Sequence, residues 1–595
     1  MSTAILTGPP VPGSSLDGDL KSLGFDVQVA SGPSDAAALL AAVPAGRRVA
    51  VVDPRFVGHL HALRLALTDP RFPAAAAPGA LTAQPDARPA LERALTAAPA
   101  DSEALPDTLA DALAADGVAV HRPELGSLVA AVPDDSESRH RARAAVAEVD
   151  DEAVRLRNAV KAHDGFFTTF FISPYSRYIA RWCARRGLTP NQVTTASLLT
   201  ALIAAGCAAT GDRAGYVAAG VLLLVSFVLD CTDGQLARYS LQYSTMGAWL
   251  DATFDRAKEY SFYAGLALGA ARNGDDVWVL ALASMVLMTC RHVVDFSFNE
   301  ANHDATANTS PTAALSDRLD SVGWTVWARR MIVLPIGERW AMIAVLTAVT
   351  TPRVVFWALI IGCSFAACYT TAGRVLRSLT RKARRTDRAA QALYDLTDTG
   401  PLAELVRGTL IRVGAKSPGT LGLAVLASAQ LIFAATQLPV GSWGMVLAAG
   451  IYAFFAGGAV MVPLKGALDW LVPPVFRAGE YVTVLLLAAR SDVPHAVPAA
   501  FGLIAAVAYH HYDTVYRIRG GTGAPPAWLV RTIGGHEGRT VLVAVLAALT
   551  ATAGSDFTLA LTALAAAVAL VVLVESIRFW VSSGAPAVHD EGETA

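Results

Sequence analysis

The sequence predicts a mostly α-helical, polytopic membrane bundle with a small soluble α/β domain at its N-terminus. Three observations predict it. The chain of 595 residues is 53% hydrophobic and only 16% charged, with mean hydropathy +0.42. Apolar runs close to spanning length recur from residue 191 onward. The first 150 residues instead alternate short β-like runs with Ala/Leu-rich helical stretches. A formal net charge of −2 argues against nucleic acid as a partner.

Residues 1–150 are expected to fold as the soluble domain. Ala4-Ile-Leu, Phe25 to Val29 and Arg48 to Asp53 read as strands. The Gly/Pro turn Thr7 to Gly13 reads as a plain rigid loop, because prolines lack the N–H groups that cradle phosphate. The charged stretch 134–160 reads as a helical connector. The N-terminus has no basic region and no long apolar core, so no cleavable signal peptide is expected.

From His163 the pattern changes. Phe166 to Ile172, followed by Arg177, Arg181, Arg185 and Arg186, reads as an amphipathic helix on a membrane surface. Pro190 is well placed for a first helical turn. Spans are expected near 191–210, 214–237, 247–271, 277–298, 338–351 and 353–373. A charged segment, about 374–416, then leads to runs near 418–438, 443–463, 479–489, 496–516, 539–553 and 557–578, giving four to six more spans. The arginines at 177–186 and 374–385 mark one side as cytoplasmic by the positive-inside rule. Arg477 with Glu480, and Glu575 with Arg578, are (i, i+3) neighbours expected to pair. His510-His511 reads as a satisfied polar cluster at a helix end rather than a metal site. The six Cys form no CxxC or zinc spacing and read as buried structural thiols.

The most informative stretch is Asp230-Cys-Thr-Asp233-Gly234-Gln-Leu-Ala237-Arg238, then Gly247-Ala-Trp-Leu-Asp251-Ala-Thr-Phe-Asp255. It follows a nearly apolar run, so four ionisable groups stand at the end of an expected membrane helix, where they are costly and mark function. Asp230 and Asp233 share one helical face, and Asp251 and Asp255 share another. Facing pairs of carboxylates repel unless cations lie between them. Hard oxygen ligands suit Mg²⁺ or Mn²⁺. The aspartate pattern has no second copy in the C-terminal apolar region, so that region is not an active duplicate.

These positions fit D-x2-D-G-x2-A-R-x8-G-x3-D-x3-D, and the chain is identified by them as resembling the CDP-alcohol phosphotransferases. The resemblance covers about residues 160–385 and implies a six-span core. It implies that Asp230, Asp233, Asp251 and Asp255 surround two divalent ions. It further implies that Asp230, Asp233, Gly234, Ala237, Arg238 and Gly247 meet the cytidine nucleotide, and that Asp255 is the catalytic base for the acceptor hydroxyl. Ala162-His163-Asp164-Gly165-Phe166, Ser173-Pro174 and Leu188 to Thr194 resemble the branch that fuses an N-terminal cytidylyltransferase to this core and makes inositol-phosphate diesters, and the same segment type occurs in phosphatidylinositol-phosphate synthases. Residues 1–150 lack that domain's GxGxR loop and Pro-Lys pair, so a degenerate nucleotidyltransferase-like domain is expected there. Residues 417–580 are left as an accessory membrane domain.

The expected activity is transfer of a substituted phosphoryl group from a CDP-alcohol to an alcohol or polyol phosphate, with release of CMP. Membrane lipid surrounds the protein, and the resemblance implies a homodimer. Synthesis of phosphatidylglycerophosphate or phosphatidylinositol phosphate from CDP-diacylglycerol is the alternative within the class. A transporter is the alternative outside it. A phosphorylated acceptor needs countercharge, for which Arg291, Arg330, Arg339 and Arg374 are the candidates, with His292, Arg329 and Arg377 beside them.

Overall fold

The computed structural model describes residues 2–99, 104–161, 164–303, 327, 331–380, 384–415, 419–554 and 556–582. They form two compact units. The first comprises Met1–His163, Ser173–Val193 and Cys231–Ser244, and the second Asp164–Ile172, Thr194–Asp230 and Thr245–Ala595.

In the first unit the strands are β1 (Ser2–Leu6), β2 (Phe25–Val29), β3 (Val49–Val52), β4 (Val57–Gly58), β5 (Ala74–Ala77), β6 (Ala80–Ala83), β7 (Val120–His121) and β8 (Ala130–Ala131). Six of them make a sheet in the order β2-β1-β3-β6-β5-β7, while β4 pairs with β8. β1 runs parallel to β2 and β3, and β6 returns antiparallel against β3. β3, and β1 from Ala4 to Leu6, are continuous apolar runs because both of their faces are covered. Ile5, Val49 and Val51 join one apolar layer. Ala4, Leu6, Ala50 and Val52 join the other. Helices α2 (Pro33–Ala42), α4 (Arg88–Ala97) and α5 (Leu105–Ala115) cover the first layer. Helices α1 (Leu16–Ser22) and α3 (Leu60–Leu67) cover the second.

The charged connector forms α6 (Ser136–Glu148) and α7 (Asp151–Asn158). Asp135 caps α6 through the Ser138 amide, and Asp150 caps α7, each accepting from a backbone N–H that the first turn leaves unpaired. The amphipathic segment begins as a π turn over Thr168–Ile172 and continues as α8 (Ser173–Arg185). Phe170, Phe171, Tyr175 and Trp182 are each more than half exposed, an arrangement suited to the interface of a lipid bilayer.

The second unit is helical. Its first six long helices are α9 (Pro190–Thr210), α10 (Arg213–Ser240), α11 (Thr245–Arg272), α12 (Trp278–Asn302), α13 (Ile336–Val349) and α14 (Pro352–Thr380). The start of α9 and the end of α10 are counted in the first unit. Then come α15 (Asp387–Thr397), α16 (Pro401–Arg412), α17 (Thr420–Gln437), α18 (Trp443–Ala459), α19 (Val472–Ala489), α20 (Ala496–Arg519), α21 (Ala527–Ile533), α22 (Gly535–Ala553) and α23 (Phe557–Ser582). Among the described residues seven helices are long and apolar enough to cross a membrane. They make this an integral membrane protein. α11 and α20, with 28 and 24 residues, have the length but carry their charges into the interior.

Small residues set the helix spacing. A Cβ at Gly265 would run into the carbonyl of Ala205, and one at Gly220 into that of Ala344, so α11 meets α9 and α10 meets α13 backbone to backbone. Ser197 and Ser226 bond each other across α9 and α10 at 3.1 Å.

Three expectations are corrected here. Glu575 pairs with Arg517 of α20, at 2.6 Å, and not with Arg578. Arg517 is a buried guanidinium that presents two nitrogens to both Glu575 oxygens, whereas Arg578 faces outward. His510 and His511 lie within α20 rather than at its end. His510 bonds Asp398 at 3.1 Å, but neither ring nitrogen of buried His511 has a hydrogen-bond partner among the described residues. Adjacent helical residues point apart, so only one of the two reaches Asp398. Finally, Cys183 and Cys363 are buried, but Cys368 is exposed, on the outer face of α14.

Candidate functional site

The acidic residues occupy successive turns of two neighbouring helices. α10 carries Asp230, Asp233, Gly234, Ala237 and Arg238 in its last turns, and α11 carries Gly247, Asp251 and Asp255 in its first three. Within the membrane unit, Asp230 and Asp251 offer carboxylate oxygens within 4.8 Å of each other. Asp233, one turn further along the face of α10 that bears Asp230, has an oxygen within the same distance of Asp230. This set of hard oxygen donors fits a divalent cation of the Mg²⁺ or Mn²⁺ kind.

Asp255 is held differently. Lys258, one turn further along α11, donates to Asp255 Oδ1 at 3.1 Å and also to Asp230 Oδ1. Its side chain is only 1% exposed, against 16% and 18% for the two carboxylates. The ammonium thus supplies one fixed positive charge beside Asp230, Asp251 and Asp255. Sequence reading missed Lys258. The signal was present, since a lysine three residues after Asp255 must share its helical face.

The next residue, Glu259, faces inward. It is 2% exposed and accepts from Arg256 at 2.7 Å and from the Tyr263 hydroxyl at 2.8 Å. Arg339 of α13 approaches it at 3.4 Å. Such a buried carboxylate persists because it is paired on several sides. It fixes the rotation of α11, and with it the direction in which Asp251 and Asp255 point.

The end of α10 is fastened within the first unit. Arg155 of α7 donates to the Tyr239 carbonyl at 2.7 Å and stacks on its ring at 3.5 Å. The Tyr239 hydroxyl donates to Glu152 at 2.8 Å. Gln235 takes a hydrogen bond from Ser176 of α8 at 2.7 Å. Arg238 gives its Nε hydrogen to the Ala159 carbonyl at 2.6 Å, which sets the plane of the guanidinium. Its η nitrogens lie 3.5 Å from where a Cβ on Gly234 would stand, so the glycine keeps open the space beside that fork.

The acceptor candidates have internal partners. Arg291 donates to the Val333 carbonyl. Arg374 pairs with Asp295, which places it at the end of α14 beside α12. Arg339 is buried against Glu259. His292 bonds the Tyr512 hydroxyl. Arg329 and Arg330 lie outside the described residues.

Comparison with known proteins agrees with this geometry. Residues 187–368 match the family described as CDP-alcohol phosphatidyltransferase, and residues 387–595 match a family of unknown function (DUF5941). An archaetidylinositol phosphate synthase of Pyrococcus horikoshii is 33% identical over 113 residues, which is 19% of this chain and 58% of that protein. A bifunctional IPC transferase and DIPP synthase of Aquifex aeolicus is 30% identical over 128 residues, 21% of this chain and 29% of the relative. A phosphatidylinositol phosphate synthase of Streptomyces avermitilis is 30% identical over 131 residues, 22% of this chain and 51% of the relative. The chain therefore spans between 29% and 58% of the length of these relatives. The acidic helix pair lies inside the matched region, and residues 187–368 carry a CDP-alcohol phosphatidyltransferase domain.

Proposed function

We propose that the protein transfers a substituted phosphoryl group from a CDP-alcohol to the hydroxyl of a polyol phosphate, releasing CMP. The observation that carries this reading is the spacing of acidic residues on two successive helices, Asp230 and Asp233 near the end of α10 and Asp251 and Asp255 near the start of α11, with Gly234 and Arg238 following on α10. Asp230, Asp233, Asp251 and Asp255 would hold one or two Mg²⁺ or Mn²⁺ ions. Bound there, the cations would neutralise the diphosphate and stabilise CMP as a leaving group.

The chain's own residues do the rest. Gly234, Ala237 and Gly247 leave the nucleotide room to approach the backbone. Arg238, its plane already set by the Ala159 carbonyl, offers a fork of donors to the diphosphate. Asp255 takes the proton of the acceptor hydroxyl as its oxygen bonds to phosphorus and the bond from phosphorus to the CMP oxygen breaks. Lys258, bonded to Asp255 at 3.1 Å, holds its carboxylate in place for that step. The names of the relatives point to an inositol phosphate as acceptor. Arg374, at the end of α14, is the best placed of the acceptor arginines to meet its phosphate. The basic residues of α8 and α14 support a cytoplasmic opening.

The test is purified protein in lipid with a panel of CDP-alcohol donors and alcohol acceptors, scored for CMP. Asp255→Asn is expected to abolish turnover while retaining donor binding. Near-normal turnover in that variant removes Asp255 from the base role. Absence of metal-dependent CMP release with every donor overturns the reaction.

A further inference from the structure

The C-terminal helices repeat the core. α17, α18, α19, α20, α22 and α23 follow one another as α9 to α14 do, and they pack in the same pairs. The first helix of each set lies on the second, through Ser197 and Ser226 in the core and through Gln430 bonded to the Ala448 carbonyl at 3.1 Å in the other. A glycine of each third helix lies on the first: Gly265 on Ala205, and Gly479 with its Cβ position 2.7 Å from Ser428 Oγ. Second meets fifth and fourth meets sixth in both sets.

The residues at these crossings repeat as well. The third core helix reads Arg256-Ala-Lys-Glu259-Tyr260, and its counterpart reads Arg477-Ala-Gly-Glu480-Tyr481. Arg256 Nη1 donates to Glu259 Oε2 at 2.7 Å, and Arg477 Nη1 to Glu480 Oε2 at 3.1 Å. From each fifth helix an arginine Nε faces the other oxygen: Arg339 to Glu259 Oε1 at 3.4 Å, Arg539 to Glu480 Oε1 at 2.6 Å. On the fourth helices, His292-x-x-Asp295 matches His510-x-x-Asp513. Both aspartates reach the sixth helix, Asp295 through Arg374 and Asp513 through Ser576 at 2.8 Å and Trp580 at 2.6 Å.

What does not repeat is the acidic cluster. Where α10 ends in Asp230 and Asp233, α18 ends Ala456-Gly-Gly-Ala459. Where α11 begins with Asp251 and Asp255, α19 begins Val472-Pro-Pro. Asp398 instead joins Arg477, Arg539 and His510 in a buried ion-pair network.

The two sets meet face to face. α11 packs on α20, α12 on α19, and α12 on α20. That is third on fourth, fourth on third and fourth on fourth, the reciprocal pattern of an isologous two-fold interface. Arg256, next to Asp255, stacks on Tyr512 at 5.0 Å, Trp278 meets Phe501 at 5.7 Å, and Trp249 meets Trp580 at 6.4 Å.

We propose that the C-terminal region is a catalytically silent second copy of the transferase core. It occupies the place of a partner protomer, so the enzyme is a one-chain, one-site pseudo-dimer whose silent half buttresses α11. The homodimer implied by the resemblance is thereby supplied from within the chain.

The test is the full chain in nanodiscs. Native mass spectrometry is expected to give one 62.2 kDa chain per particle at all concentrations. Trp278→Cys with Phe501→Cys, treated with a short bismaleimide, is expected to give an intrachain link without a doubled band. Two chains per particle, or an interchain link at this pair, overturns the internal partner. With Mn²⁺ present, one CMP equivalent is expected per chain, and none after Asp230→Asn with Asp251→Asn. Residual CMP binding in that variant overturns the silence of the second half. Particle mass and cross-link do not depend on the reaction proposed above, so the two readings fail separately.

Discussion

Lys258→Met tests the charge balance of the site without knowledge of the substrate. The lysine is buried at 1% exposure and bridges Asp255, at 3.1 Å, to Asp230. Methionine keeps the bulk but leaves two partly buried carboxylates facing each other. Removing one partner of a buried pair costs about 3–5 kcal/mol. Coulomb attraction at that separation, with an effective dielectric of about 20, gives about 5 kcal/mol, in the same range. At roughly 2–4 °C per kcal/mol for a domain of this size, Tm falls by about 6–20 °C in EDTA. Saturating Mn²⁺ supplies countercharge to the same carboxylates, so the deficit should shrink by more than half. Intrinsic-fluorescence melting of wild type and variant, in EDTA and in Mn²⁺, reads both quantities. An equal deficit in the two conditions makes Lys258 a packing residue only. No deficit in EDTA refutes the bridge.

Three further perturbations follow from other parts of the molecule. Arg539→Met strips Glu480 and Asp398 of a shared buried partner and should cost about 3–5 kcal/mol; an unchanged melting curve counts against the network. Gly265→Ala drives a methyl into the Ala205 carbonyl and should force α9 from α11, lowering folded yield in detergent by several fold. His61 has neither ring nitrogen hydrogen-bonded among the described residues. Burial, and then Arg155, Arg64 and His59, hold its pKa down to about 3. The unfolded imidazole, titrating near 6.5, takes its proton first as pH falls. The stability of the α/β sheet is therefore fully present above about pH 6.5, is lost toward pH 3, and is lower by about 2 kcal/mol at pH 5. Hydrogen exchange of β1 and β3 amides at pH 7 and 5 measures this, and His61→Gln should abolish the difference.

The sequence alone determined where the apolar helices lie, because hydropathy and helix length are local properties, but among the described residues seven are long and apolar enough to cross a membrane, fewer than the ten to twelve spans expected. Each expected span has its helix, from Pro190–Thr210 to Phe557–Ser582. It also determined the acidic helix pair, since spacing of three and four residues places Asp230 with Asp233 and Asp251 with Asp255 whatever the surrounding packing. The Arg477–Glu480 pair was legible from its spacing, but tertiary structure alone decided the charge pairs that cross between helices. Glu575 chose Arg517 over its helical neighbour Arg578, Lys258 reached across to Asp230, and Arg339 turned inward to Glu259. Those choices depend on contacts between segments 28 to 80 residues apart, where sequence spacing carries no distance information. The repeat was hidden for a related reason. The second copy lacks the aspartates by which the first is recognised and keeps instead a buried Arg-x-x-Glu pair, whose meaning shows only when the fifth helix brings its arginine alongside.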